Sequence, residues 1–568
     1  MSTHSLASFL GRLRQLAFTI VAATAIAGSA LAQRSAHTHR PVIAANTIAG
    51  SALAATTTVG SLAALQTAIN SANPGDTIIL ANGTYTTSAP IAITRSGTAS
   101  APILIKAETV GGVTIAGTSG FQFNSPAAWV TVQGFVFTHT GDQLIIAKGT
   151  SHCRLSRNLI QLTIPAAADQ AYVRISGDDV EFDRNELRNK NSVGQGLDIQ
   201  GDGISQVARR LWVHHNYFHD FVYQNGANGV ETVRWGLGLY AASTGSGLME
   251  YNLFDHCDGE VEMISNKSCG NTYRFNTFKN TVHTQFTFRQ GNDCLLYGNY
   301  FLNTVGLRIF GDRHQIFSNY FAGNSAAIEI GNGDSQDIFG GANHDQPDNC
   351  VIAFNTLINN TQQYWMDTHY TLGASNTTFA NNIIVGGGTA AAFGGPYNNP
   401  VWSGNIIWNT SAGSVPSGGY TSVDPLLVAG SDGVFHIASN SPAIGAATGT
   451  YPTMAVDMDG QSRPSTGKDV GADQYSTSLT SARLLTTNDV GPLSVQLVTP
   501  TLASIQMIGA ASYKLTFTGP QGQTYQVQTS PDLVNWTTIS SGTFGSSAAT
   551  FTDTSATGTR RFYRITSP

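Results

Sequence analysis

Charge is what this sequence has least of. Asp, Glu, Lys and Arg make up 11% of its 568 residues and leave a formal net charge of −6, well under the quarter usual in globular chains. A generally basic, nucleic-acid-coating surface is excluded, although local clusters rather than totals decide whether a polyanion binds. Cysteine is scarce too. Cys153, Cys257, Cys269, Cys294 and Cys350 are odd in number, too few for a disulfide framework and spaced like no zinc signature. They read as small buried hydrophobes, though one pair, such as Cys269 with Cys294, could still bridge. Sustained helical periodicity is nearly missing, which argues for an all-β chain. Beyond the N-terminus no apolar run is long enough to span a bilayer, and no nucleotide-binding loop or nucleic-acid module occurs.

The N-terminal run "LAFTIVAATAIAGSALA" follows Arg12 and Arg14, and Ala30-Leu31-Ala32 offers a cleavage site before Gln33. Residues 1–32 therefore read as a signal peptide, with a secreted or periplasmic location expected. Residues 33–56, rich in Ala and Thr, read as a disordered linker.

What the chain does have is a recurring Asn-x-apolar unit. It falls at Asn158, Asn185, Asn216, Asn252, Asn276, Asn299, Asn319, Asn355, Asn382 and Asn405, with gaps of 27, 31, 36, 24, 23, 20, 36, 27 and 23 residues. Such periods mark a solenoid, and strand-like units make it a parallel β-helix with coils about 4.8 Å apart. Propeller blades need roughly 40 residues, more than the shorter gaps allow. An amphipathic helix with Leu62, Leu65, Ala68 and Ile69 on one face is expected to plug the first coil, and residues 441–475 to lie near the other end. Residues 57–478 thus read as the β-helix domain. Residues 485–568 alternate cleanly between Gly/Pro turns and read as a small antiparallel β-sandwich-like domain. Its Trp536, Tyr525 and Phe562 are expected in the core rather than on a sugar platform.

Coil lengths then align the rare charges. Lys267 to Arg289 is 22 residues and Arg289 to Arg308 is 19, close to the local coil steps of 23 and 20. Lys267, Arg289 and Arg308 are expected nearly above one another. Glu260 and Glu262 lie just before Lys267 on one strand face, and Asn228 one longer coil below. Charges usually face water and no more, but two acids, an amide and three bases in one column of an uncharged chain are too concentrated for that. Two carboxylates and an amide oxygen suit a hard cation such as calcium. The pair Glu260 and Glu262, two apart on one strand, suits joint metal binding better than flanking a glycosidic bond, as a hydrolase requires. His214, His215 and His219 in "WVHHNYFHD" have no acid or cysteine cluster aligned with them and read as surface or stacked histidines. In the acidic loop 332–349, expected to overhang the groove, His344 is a candidate substrate contact, with a plain solvent loop as the alternative.

In order, "EVEMISNKSC", "NTF", "FTFRQGNDCLLYGNYF" and "GLRIFGDRHQIFSNYF" resemble the polysaccharide lyases that contain chondroitinase B and many alginate lyases. The resemblance covers most of residues 57–475, including the opening "PGDTIILANGTY". It implies a right-handed parallel β-helix and β-elimination on an anionic uronic-acid polysaccharide. It further implies Lys267 as base, Arg289 as its assistant, and Asn228, Glu260 and Glu262 as Ca2+ ligands. Arg308, Arg234, Gln290 and His344 are the candidate substrate contacts. Gln290 departs from the family, which usually has His there. A lysine base must shed its proton first, which Arg289, Arg308 and desolvation would favour. Alginate is the expected substrate by analogy with the family, with dermatan sulfate as the alternative. A non-catalytic carbohydrate-binding β-helix is the reading from another class. A monomer is expected, with neither nucleic acid nor membrane as partner.

Overall fold

A computed structural model describes residues 54–568, apart from 338–340, 342, 477–481, 495–499, 510, 520–522, 532, 534–535, 546, 557–559 and 567–568. The signal-peptide expectation and nearly all of the linker fall outside the described residues. Three long sheets of 14, 12 and 14 strands dominate. Most coils contribute one short strand to each sheet, and every pairing within them is parallel, as in Leu253–Cys257 on Thr277–Lys279 and Trp212–His214 on Leu248–Glu250. The chain is a parallel β-helix.

The Asn-x-apolar unit does two jobs. All ten asparagines are buried, and each side-chain amide donates to the Oδ1 of the next at 2.9–3.1 Å, from Asn158 through to Asn405. The residue before each one turns the corner between two sheets in the left-handed region, as Arg157 (φ 55°), Tyr251 (φ 53°) and Gly298 (φ 66°) do. An amide ladder satisfies the backbone groups that such a corner strands in the interior. Two residues on, the apolar position stacks. Phe218, Phe254, Phe278, Phe301 and Phe321 form a column with centroids 4.6–4.9 Å apart.

The expected helix spans Leu62–Ser71, capped by Ser61 whose hydroxyl accepts from the Ala64 amide at 3.2 Å, and it buries Leu65 and Ile69. At the far end the stacked strands stop at Tyr420–Thr421. Residues 441–475 do not extend the stack; they fold back along its flank. Ser318 Oγ donates to Val456 O, Tyr300 to Asp459, and the Ala472 amide to Thr356 Oγ1. The strap continues backward. Leu485 N donates to Thr277 Oγ1, Gly491 N to His215 O, and Arg157 Nη1 to the carbonyls of Pro492 and Ser494.

The C-terminal strands begin at Thr501 and form two three-stranded antiparallel sheets around Leu515, Phe517, Val527, Phe544 and Ile565. Tyr525 packs on that core. Trp536 does not: it is partly exposed, with the Arg564 guanidinium 4.2 Å above its ring. Phe562 is also only half-buried. A sandwich this thin fills its interior from alternate residues, and these two fall on the outer set. All five cysteines are free, so Cys269 and Cys294 are not bridged.

Candidate active site

The rare charges gather on the outer face of the 12-stranded sheet, on the strands Val233–Trp235, Glu262–Lys267, Gln285–Gln290 and Leu307–Ile309. The expected column is displaced, because β-bulges interrupt the pairing of Glu262–Lys267 with Gln285–Gln290. Lys267 pairs with Gln290, whereas Arg308 pairs with Thr287 and Arg234 with Ser265. Bulges re-aim side chains and carry the register forward by a residue. The three bases therefore share no line: Arg308 falls on that of Thr287, Ser265 and Arg234, and Lys267 and Arg289 each fall on another. Glu260 lies in the bend before the strand that carries Glu262.

The side chains nevertheless converge. Glu262 Oε1 accepts from Arg308 Nη2 at 2.7 Å and faces Arg289 Nε at 3.9 Å, and Ser265 Oγ donates to its other oxygen. Glu260 accepts from the amides of Gly229 and Val230 at 3.1 and 3.0 Å, one residue beyond the exposed Asn228. Lys267 Nζ stands 3.7 Å from Glu231 Oε1. Glu231 is the residue that the sequence reading missed, although an acid three residues after Asn228 in so uncharged a stretch was visible. It is buried and accepts from Gln195 at 3.0 Å.

This donor set fits a hard cation. Glu231, Glu260 and Glu262 are all buried, and the Glu260 carboxyl is pushed up to about 8, first by desolvation, then by Glu231 and Glu262. Buried carboxylates beside one another favour a cation among them, and oxygen-only sites are those that calcium takes. Among the described residues, the sets of three ligand-type side chains whose atoms come within 4.8 Å of one another lie elsewhere, at Asp457, Asp459 and Asp473 in the strap and at Glu181, Asp183 and His214; Glu231, Glu260 and Glu262 are not drawn together that closely. The second of these sets corrects the reading that no acid aligns with the histidines, since Asp183 pairs with His214 across coils. His214 itself stacks on Trp212 and His219 on Tyr217, and His215 stacks on Tyr251.

The remaining candidates divide. Arg234 is held by Asp198, a fully buried acid that also binds Arg174, each at 3.0 Å. Gln290 is only 3% exposed and donates to Gly341 O at 3.2 Å, so it braces the overhanging loop and does not present itself to the groove. Arg289 Nη1 donates to Asn343 O at 2.7 Å in the same loop. His344 follows there, against Phe310 and Tyr370, and burial followed by the Arg289 charge pushes its imidazole down to about 4.

A parallel β-helix with a lysine, two arginines and three buried acids on one sheet has a counterpart among known families. The chondroitinase B family model matches residues 59–429, so the chain belongs to the chondroitinase B family. It is similar in structure to a mutant of the PL6 family alginate lyase AlyGC, with 23% identity, a TM-score of 0.64 and coverage of 79% of this chain and 60% of that one. A mannuronic acid specific polysaccharide family 6 lyase from human gut microbiota is 21% identical at a TM-score of 0.57, covering 65% and 91%. A PL6 alginate lyase in complex with trisaccharide is 17% identical at 0.59, covering 78% and 96%. At these identities the likeness is one of fold, and this chain spans about 60% of the AlyGC chain. No curated protein sequence matches it.

Proposed function

We propose that this protein is an exported polysaccharide lyase that cleaves alginate by β-elimination, with a calcium ion held by Asn228, Glu260 and Glu262. The observation that carries the reading is the buried acid cluster meeting Lys267, Arg289 and Arg308 on one groove face. Glu231 is a further oxygen donor within reach of that cluster. The ion's contribution, when bound, would be to neutralise the uronate carboxylate, so that charge developing at C5 is tolerable. The chain's own residues do the rest. Lys267 takes the C5 proton as a neutral amine, and Arg289 and Arg308 orient the carboxylate from the other side. Asn343 and Glu262 fix the Arg289 guanidinium on two sides, which keeps that geometry preorganised.

The unsulfated substrate is supported from two directions. Several structural neighbours carry alginate lyase in their names. Along the sheet, moreover, Arg174 and Arg234 are both spent on the buried Asp198, which leaves them poorly placed to grip a sulfate. The test follows ultraviolet absorbance from the new C4=C5 double bond, with alginate and dermatan sulfate offered separately, with and without a calcium chelator. Product from alginate that Lys267→Ala and the chelator both abolish is expected. Product only from dermatan sulfate would overturn the substrate and keep the chemistry. Silence on both from folded protein would bring the carbohydrate-binding reading forward.

A further inference from the structure

The C-terminal domain is charged opposite to the chain that carries it. Residues 501–568 hold four bases, Lys514, Arg560, Arg561 and Arg564, and two acids, Asp532 and Asp553, so this part is +2 in a chain of −6. The lyase chemistry uses none of it. Arg561 is spent on Asp553 at 2.7 Å. Arg564 is exposed, and among the described residues its partners are all neutral. Its Nε donates to Gln528 Oε1 at 2.7 Å, and its guanidinium lies 4.2 Å over the Trp536 ring. The edge with Nη1 and Nη2 is left without a partner there.

The surroundings hold this pair in place. On the outer face of the sheet built from Thr524–Ser530, Thr537–Thr543 and Phe562–Thr566, the residues Thr538, Gln528 and Arg564 form one row across three strands. Gln528 Nε2 donates to Gln526 Oε1 at 3.1 Å and to Thr538 Oγ1 at 3.0 Å, and Thr538 Oγ1 donates to Gln526 Oε1 at 3.1 Å. Gln526 is buried at the foot of this network. Trp536 Nε1 donates to Leu533 O at 3.1 Å, and the indole stays partly open to solvent. A free surface arginine loses much side-chain entropy when it grips an anion; one already held along one edge and over one face loses less. Carboxylate matches the free edge through two parallel hydrogen bonds. The indole offers apolar area beside polar amides and a hydroxyl, the mixture that a sugar ring presents in return.

We infer that this face is a second polysaccharide-binding site, at which Arg564 takes the carboxylate of a uronic acid residue and Trp536 lies against the sugar ring. The inference borrows from the lyase reading only the class of polymer. A site that holds the polymer without cutting it raises the concentration of substrate around the groove by tethering.

The experiment uses the full-length protein carrying Lys267→Ala, which leaves the polymer intact, in native gels cast with alginate, carboxyl-reduced alginate or polyglutamate. Retardation by alginate alone is expected. Arg564→Gln should weaken the apparent affinity about tenfold with the thermal melt unchanged. Trp536→Ala should weaken it too, and it stands in should the first variant fail to fold. No retardation by alginate, equal affinity in parent and variants, or equal retardation by reduced alginate or polyglutamate would each overturn the inference. Wild-type protein that makes no unsaturated product while the Arg564-dependent retardation persists would overturn the lyase reading and leave this site standing.

Discussion

Two rows of charge climb this solenoid, and they are built on opposite principles. On the first 14-stranded sheet, Arg154 grips the buried Asp183 through two hydrogen bonds of 2.7 and 2.8 Å, His214 meets Glu181 at 3.1 Å, and Arg274 holds Glu250 at 2.6 Å. Burial pushes the Asp183 carboxyl up, yet Arg154, with His214 and Arg184 behind it, more than reverses that, and the group ends below its ordinary range. On the 12-stranded sheet, burial pushes Glu260 up, and its neighbours Glu231 and Glu262 push it further. One row is closed, each acid answered by a base on an adjacent coil. The other is half open: Arg308 answers Glu262 at 2.7 Å, whereas Glu260 meets the Gly229 and Val230 amides and two acidic neighbours. A fold that can pair charges from coil to coil and declines to do so in one place is keeping that place for something else.

Four measurements sharpen or break this contrast. The largest effect is expected from Lys267→Ala, which should cut unsaturated-product formation at least about 1,000-fold with the thermal melt unchanged; residual activity near wild type would remove the base. Arg154→Ala should do the converse, costing about 3 kcal/mol in denaturant titration because the buried Asp183 loses its two-pronged partner and keeps Arg184 and Ser156 on one oxygen, while turnover per folded molecule holds. Calcium at a hundred times its Kd should stabilise the wild type by about 2.7 kcal/mol and leave Glu262→Gln unmoved in the same melts. The smallest effect is a slope. The Glu260 carboxyl is raised from 4.5 to about 8, so in metal-free protein its contribution is complete below the lower value and is lost as pH rises through the upper one. Denaturant midpoints at pH 5 and pH 9 should differ more in the wild type than in Glu260→Gln, and added calcium should flatten the difference.

The repeat was legible because one side chain does the same work in every coil: an asparagine that must reach its copies above and below is written into the sequence at each step. The capping helix was legible for the same local reason, with Leu65 and Ile69 a turn apart. The alignment of the site was legible only to within two residues. Counting coil lengths presumes an unbroken ladder, and the bulges in Glu262–Lys267 and its partner strand spend residues that no count reveals. Tyr370, which packs on His344, was not legible at all, because it comes from a loop on the next coil and the stack that joins it to the site has no sequence period. The outward Trp536 failed for a related reason, since in a small sandwich an aromatic residue is read as core by default.

The strap that runs back along the flank has a consequence for how this molecule could change length. Within the ladder every coil resembles its neighbours, so a coil could in principle be duplicated or lost without offending local packing. The strap measures absolute distance. It is pinned at Ser318, Thr356, Thr277, His215 and Arg157, and an added coil between any two of these would leave it a step short. Growth by repeat duplication is closed across the coils that bear the site, so the strap acts as a gauge that fixes the count of coils where the chemistry sits.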